Sequence, residues 1–315
     1  MLYNPPLYGR FEFSKTDAQT GKLIIAKFKV QRNENFGTPN PEDWKDYYPL
    51  NADGTQGTKL LEFSTKADEE YLSDYLPPGE YRIVEVSVSS TYTKTVEPTD
   101  PFEIKQGVIT TGVTMENVRK GSLRIIKRSQ FNGGDLVAMS GATFKLYEVL
   151  ATDPTTDTLT SVQRQAILDD ASRTAAGTGT TAGANGEVTI TGLDANNKNG
   201  STYSKDYWLI ETANSNDGYN PATFVARKVT VVPGPTVTTV GGSGELVNVP
   251  VWGKLKIRKV DANDSNDATK GLEGAVFSIH TDASCTDTNK VGTITTDADG
   301  YGESGLLAPG NYFLK

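Results

Sequence analysis

Apolar and polar residues alternate with a period of two in short runs along the whole chain, and the runs recur. GRFEFSK at 9–15, GSLRIIK at 121–127 and GKLKIRK at 253–259 share one spacing, each opening on Gly and ending on Lys. A polar loop follows each, then a second alternating run: AKFKV at 26–30, GATFKLY at 141–147 and GAVFSIH at 274–280. Period-two alternation predicts half-buried β-strands, because successive side chains on a strand face opposite ways. A later signature reads LPPGEYRIVE at 76–85, KDYWLIE at 205–211 and LAPGNYFLK at 307–315. A closing signature places Asn117 ahead of Gly121 in ENVRKG, and Asn248 ahead of Gly253 in VNVPVWG. Self-similarity at this scale predicts tandem modules, and strand runs with Gly- and Pro-rich turns predict an all-β fold of packed sheets.

Strand parity also predicts burial. Phe11, Phe13 and Lys15 share a face, as do Leu123, Ile125 and Lys127, and Leu255, Ile257 and Lys259. Tyr81, Ile83 and Glu85 share another, as do Tyr207, Leu209 and Glu211; Val113 and Met115 lead to Asn117, and Leu246 to Asn248. Each complete repeat is therefore expected to bury one Lys, one Glu and one Asn. An unpaired buried charge costs several kcal/mol, so two chemistries compete for the arrangement. One is a buried Lys–Glu ion pair with an Asn hydrogen bond, or a lysine reaching out to water from a strand end. The other is condensation of the Lys amine with the Asn carboxamide, for which desolvation supplies a neutral amine and a protonated acid. The acid would hydrogen-bond the Asn carbonyl and pass protons as ammonia leaves.

The G-x-[LF]-x-[IF]-x-K strand, the L-x-P-G-x-Y turn into Y-x-x-x-E, and the Asn just before the next Gly together resemble a known family. They are similar to the B-type repeats of collagen-binding adhesins and the prealbumin-like (SpaA-type) domains of Gram-positive pilins. The resemblance implies tandem immunoglobulin-like or prealbumin-like β-sandwiches. It also implies a self-formed isopeptide bond from Lys15 to Asn117 assisted by Glu85, and one from Lys127 to Asn248 assisted by Glu211. Lys259 would open a third site, left unpaired because the chain reaches Lys315 before the expected Glu and Asn. The expected layout is 1–8 as the tail of a preceding unit or a linker, 9–120 as domain 1, 121–252 as domain 2 with an insertion at 150–182, and 253–315 as the N-terminal part of domain 3. Asn4 stands to Gly9 as Asn248 stands to Gly253, as if a further unit came before. The third unit is read as truncated, with completion by another chain as the alternative.

Composition narrows the picture. The formal charge is −8 and the pI about 4.9, which disfavours nucleic acid as a partner. One Cys and one His exclude an internal disulfide and make a thiolate or imidazole metal site, or any cofactor resting on one, unexpected. No run approaches the roughly 20 apolar residues of a membrane helix, and no leader or anchor is read in the sequence. Asp297-Ala298-Asp299-Gly300 begins like a calcium loop, but the twelfth position is Ala308, so a hairpin turn is expected. Two segments interrupt the repeat pattern. Residues 33–58 carry Trp44, Tyr47 and Tyr48, and SVQRQAILDDASR within 150–182 predicts a short helix with Val162, Ala166 and Ile167 on one face.

The function expected is an extracellular, cell-wall-anchored stalk of a Gram-positive adhesin or pilus, hardened against traction by its crosslinks and not an enzyme on outside substrates. Its partners would be neighbouring domains or pilin subunits. Tyr47-Tyr48-Pro49-Leu50 has Leu where a pilin linking motif wants Lys, which favours an adhesin stalk over a pilus backbone. The rival reading is an adhesin module that binds a host extracellular-matrix protein or glycan through the long loops of the first two units.

Overall fold

The computed structural model describes residues 8–51, 55–130, 135–214, 219, 224–242, 246–249, 252–263, 270–307 and 310–315. Strand accounts for 48% of it and helix for 4%, so the chain is all-β.

In the first repeat, β1 (Arg10–Asp17) lies between β5 (Tyr71–Leu72) and β8 (Ile109–Asn117), antiparallel to the former and parallel to the latter. A second sheet runs β3 (Trp44–Asp46), β2 (Ala26–Asn33), β6 (Gly79–Val88), β7 (Phe102–Ile104), with β4 (Glu62–Ser64) also paired to β2. The opening strand and the next alternating run thus belong to different sheets, which face each other. Phe11, Phe13, Phe28, Val30, Phe63, Tyr81 and Ile83 fill the space between them. Burial alternates residue by residue along β1, as the sequence pattern requires.

The second repeat repeats the plan. β9 (Gly121–Ile126) lies between β14 (Glu187–Leu193) and parallel β18 (Val237–Gly241), and β10 (Arg128–Gln130) between β11 (Leu136–Ala138) and parallel β19 (Val247–Asn248). The facing sheet is β13 (Gly177–Thr180), β12 (Thr143–Glu148), β16 (Thr202–Ala213), β15 (Asn197–Asn199), with β17 (Arg227–Val231) also on β16. Leu123, Ile125, Phe144, Leu146, Tyr207 and Leu209 form its core. In the third repeat β20 (Lys256–Arg258) pairs with β23 (Tyr301–Glu303), and β21 (Val276–His280) with β22 (Lys290–Thr295) and β24 (Phe313–Leu314). Ile279 and Ile294 are its buried apolar residues among those described. Residues 1–7, with Asn4, lie outside the described residues.

The Gly that opens each of the first two repeats has a steric cause, whereas a Cβ on Gly253 would meet nothing within 4 Å. Gly9 exchanges main-chain hydrogen bonds with Leu76 of the L-x-P-G turn, at 2.9 Å each way, and Gly253 does the same with Leu307 at 2.9 and 2.8 Å. A Cβ on Gly9 would stand 2.3 Å from the Lys105 carbonyl oxygen, and one on Gly121 2.2 Å from that of Val232. Both obstacles are main chain and cannot swing aside. Gly121→Ala is expected to destabilise the second repeat by about 1–3 kcal/mol, as overpacking does, lowering its denaturation midpoint. An unchanged midpoint would mean that the approach relaxes freely.

The insertion does not hang into solvent. A helix, α1 (Ser161–Asp169), starts from a Thr160–Gln163 capping box and packs against the outer face of the β12–β16–β17 sheet. The buried face is Arg164 and Ile167; Val162 is 78% exposed and Ala166 is also exposed. The expected face was displaced because Tyr147, Trp208 and Ile210, the residues that need cover, meet Ile167 and Leu159. The aromatics at 33–58 also turn inward in part. Tyr47 is buried edge-on against Tyr81, and Arg82 lies 4.5 Å over the Trp44 ring.

Candidate crosslinking site

Two clusters have the same composition. Lys15, Glu85 and Asn117 in the first repeat, and Lys127, Glu211 and Asn248 in the second, are none of them more than 3% exposed. Lys and Asn come from neighbouring parallel segments on one side of the core and Glu from the facing sheet, so the three side chains converge across the core. In the first repeat Lys15 is on β1, Asn117 ends β8 and Glu85 is on β6. In the second, Lys127 falls between β9 and β10, Asn248 ends β19 and Glu211 is on β16.

The second cluster is the tighter. Lys127 Nζ is 2.6 Å from Asn248 Oδ1 and 3.0 Å from Glu211 Oε2, while Asn248 Nδ2 donates to Glu211 Oε1 at 2.7 Å. One carboxyl therefore spans both nitrogens. Phe224 lies 4.8 Å and Phe144 5.9 Å below the ammonium, so water is replaced by ring faces. Burial pushes the Lys127 amine down and the Glu211 carboxyl up, against their mutual attraction.

In the first cluster Lys15 Nζ is 3.9 Å from Glu85 Oε1 and 5.7 Å from the Phe28 ring centre. Glu85 Oε2 accepts from Asn117 Nδ2 at 3.0 Å and from the Thr95 main-chain N–H at 2.7 Å. Asn117 Nδ2 also donates to the Thr93 carbonyl at 2.6 Å. Lys15 Nζ and Asn117 Oδ1 have no hydrogen-bond partner among the described residues. A buried amine and a buried carboxamide oxygen that both lack a hydrogen bond are the unsatisfied state that condensation would remove.

One detail differs from expectation. The acid meets the Asn amide nitrogen, not its carbonyl oxygen, in both clusters. In the second, Lys127 already occupies Oδ1; in the first, Thr93 and Glu85 both offer acceptors to Nδ2. The acid is thus placed on the leaving group. Thr95 and Phe224 were invisible in the sequence, because a main-chain donor and a ring contact leave no spacing pattern.

Lys259 is exposed, and its side chain meets neither an acid nor an amide among the described residues. His280 is buried on β21, between Asn289 Oδ1 at 2.9 Å and Ser278 Oγ at 2.8 Å, and the thiol of Cys285 is free.

Burial holds the Lys15 amine down at about 8, with Glu85 and Glu116 pulling it back up. The unfolded chain, with an ordinary lysine near 10.4, therefore binds a proton that the folded chain refuses between about pH 8 and 10.4. Where the unfolded state binds more protons, stability rises with pH. In an Asn117→Ala chain, where Lys15 has no amide to attack, stability should climb across that window by about 3 kcal/mol. Denaturant melts at pH 7.5 and 10.5 would show it, and subtraction of a Lys15→Met/Asn117→Ala chain removes the tyrosines and Lys127. A flat difference would mean that the amine is not desolvated.

Paired sheets that bury a Lys–Glu–Asn cluster between their first and last strands define a prealbumin-like sandwich protein. Residues 9–119 and 253–315 match the SpaA prealbumin-like fold domain, together more than half of the chain, and the chain belongs to that family. Residues 120–252, between the matched segments, hold the tighter of the two clusters. None of the curated proteins matches.

Among solved structures, the Bacillus anthracis TIE protein is 17% identical at a TM-score of 0.34, over 98% of this chain and 45% of its own. A streptococcal ancillary pilin is 20% identical at 0.41, over 78% of this chain and 62% of its own. GBS52, the minor pilin of Streptococcus agalactiae, is 15% identical at 0.36, over 77% of this chain and 96% of its own. The chain thus spans less than two thirds of the first two. These similarities are too low to carry function across. No helix among the described residues is long and apolar enough to cross a membrane.

Proposed function

We propose that the chain is a load-bearing segment of a Gram-positive pilus or surface adhesin whose first two repeats close themselves with Lys15–Asn117 and Lys127–Asn248 amide bonds. The observation that carries the reading is the Glu211 carboxyl spanning Lys127 Nζ and Asn248 Nδ2 with all three side chains buried. Lys127 Nζ attacks the Asn248 side-chain carbonyl carbon and the new C–N bond forms. Glu211 takes a proton from Nζ and delivers it to Nδ2, the old C–N bond breaks, and ammonia leaves. Glu85 does the same between Lys15 and Asn117.

The modules proposed are 9–120, 121–252 and 253–315, the last opening with Lys259. In each of the first two, the opening and closing strands are parallel neighbours, so the chain enters at one end of the sandwich and leaves at the other. Only three residues separate β8 from β9, and polar contacts span that junction. Thr93 Oγ1 donates to Asp194 at 2.7 Å, Lys198 pairs with Glu116 at 3.5 Å, and the Tyr203 hydroxyl also meets Glu116. Such a joint suits modules stacked end to end in a filament, on neighbouring subunits or domains of the same kind. The bonds are tested by the mass of the intact chain beside its Glu85→Ala and Glu211→Ala variants.

A further inference from the structure

The segment leading into helix α1 is fixed to the edge of the sheet that carries Glu211. Leu159 N–H donates to the Ala226 carbonyl at 2.9 Å and Lys228 N–H to that of Asp157 at 2.8 Å. Thr160 accepts from Gln163 N–H at 3.3 Å, and its own N–H donates to Gln163 Oε1 at 2.9 Å. This anchoring drives Arg164, one residue past the capping box, beneath the surface, where it is 6% exposed.

The buried guanidinium is used sparingly. Its Nη2 donates to the main-chain carbonyl of Glu211 at 2.8 Å, its Nε has no partner, and no carboxylate pairs with it among the described residues. Burying a cation costs several kcal/mol unless it is paired, and here one carbonyl contact and the attraction of the Glu211 carboxylate from beyond ion-pair distance are the compensation among the described residues.

The carbonyl is at a special place. On β16, Glu211 faces Phe144 and Ala213 faces Thr143, which leaves Thr212 as an extra residue in a bulge directly after the acid. Bulges interrupt the ladder and re-aim side chains. The first repeat bulges at the same point: Glu85 faces Phe28 and Ser87 faces Lys27. There the acid is steadied by the Thr95 N–H on its carboxyl oxygen. Glu211 has no main-chain donor of that kind among the described residues; it has Arg164 on its backbone.

We propose that Arg164 is the positioning residue of the second crosslink, holding the bulged main chain of Glu211 so that its carboxyl lies between Lys127 Nζ and Asn248 Nδ2. The insertion at 150–182 is then a brace for bond formation. The inference rests on the reading that Lys127 and Asn248 condense.

The full chain contains its own control, because the bond between Lys15 and Asn117 forms without Arg164. The intact mass is followed over time after a short, cold induction. The wild type should lose two molecules of ammonia. Arg164→Met and Arg164→Gln should lose the first at the wild-type rate and the second at least about tenfold more slowly. Arg164→Lys, which restores a donor to the carbonyl, should recover most of the rate. Ile167→Ala, which weakens the same helix without touching the guanidinium, should lower the melting temperature and leave the second loss at the wild-type rate.

If the wild type lacks two ammonias and both neutral variants shed the second equally fast, Arg164 has no positioning role. Slowing by Ile167→Ala as great as by Arg164→Met, or no rescue by Lys, also overturns it, since either makes the helix merely structural. A wild type of full sequence mass removes the crosslink reading, and the role of Arg164 with it.

Discussion

The intact chain, denatured and weighed, is expected to be lighter than its sequence by two molecules of ammonia, about 34 Da. Each bond expels one, and the two clusters are buried independently, so the deficits should separate by variant. Glu85→Ala and Glu211→Ala should each regain about 17 Da, because without the acid neither the proton on the Lys amine nor the departing nitrogen has a carrier. Both single variants should also melt lower than the wild type. Part of that drop is the lost bond, which constrains the unfolded chain as a cross-link between distant residues does. The rest is a buried Lys left without its carboxylate. A wild type of full mass would leave the clusters as buried ion pairs, and the repeats as ordinary sandwiches.

The second large effect is mechanical. With Lys15 bonded to Asn117, tension entering at Gly9 crosses to Asn117 and leaves toward Gly121, and residues 16–116 are bypassed. Pulled from its ends, the wild type should show no lengthening from the first two repeats. Glu85→Ala should release about 350 Å at roughly 3.5 Å per residue, and Glu211→Ala about 420 Å from the longer second repeat. A lengthening from the third repeat should remain in all three chains. Two releases of these sizes in the wild type would contradict both bonds. The contrast is all or none, so it does not depend on the stability of either sandwich.

Strand parity made much of this legible. Because the pleat alternates faces, GRFEFSK and Y-x-x-x-E alone place Lys15 and Glu85 on apolar faces, and the structure buries both. Parity cannot say which faces look at each other, so the convergence of β1, β6 and β8 had to come from the structure. It also fails where regular pairing stops. Lys127 lies in a break between two strands, and the bulges after Glu85 and Glu211 leave no mark in residue type. In the helix, hydrophobicity pointed to Val162, Ala166 and Ile167, of which the sheet beneath buries only Ile167, with Arg164 beside it. A buried arginine is what a hydrophobic pattern is least able to find. The opening Gly of each repeat was visible as a constant, but its cause in the first two, a main-chain carbonyl distant in sequence, was not. In the third repeat the pattern places Lys259 on an apolar face, but among the described residues no sheet closes over it and it stays exposed.

The parallel contact between β1 and β8 has one more consequence. It brings together residues near the two ends of the repeat, so a bond there turns nearly the whole module into a covalent ring with two short tails. A protease that cuts any single loop of the ring, in the excursion at 33–58 for instance, opens it without parting one tail from the other. On a denaturing gel the nicked protein would still migrate as one molecule. A filament of such rings tolerates one cut in each, and is severed only where the chain runs single, in the few residues between one ring and the next.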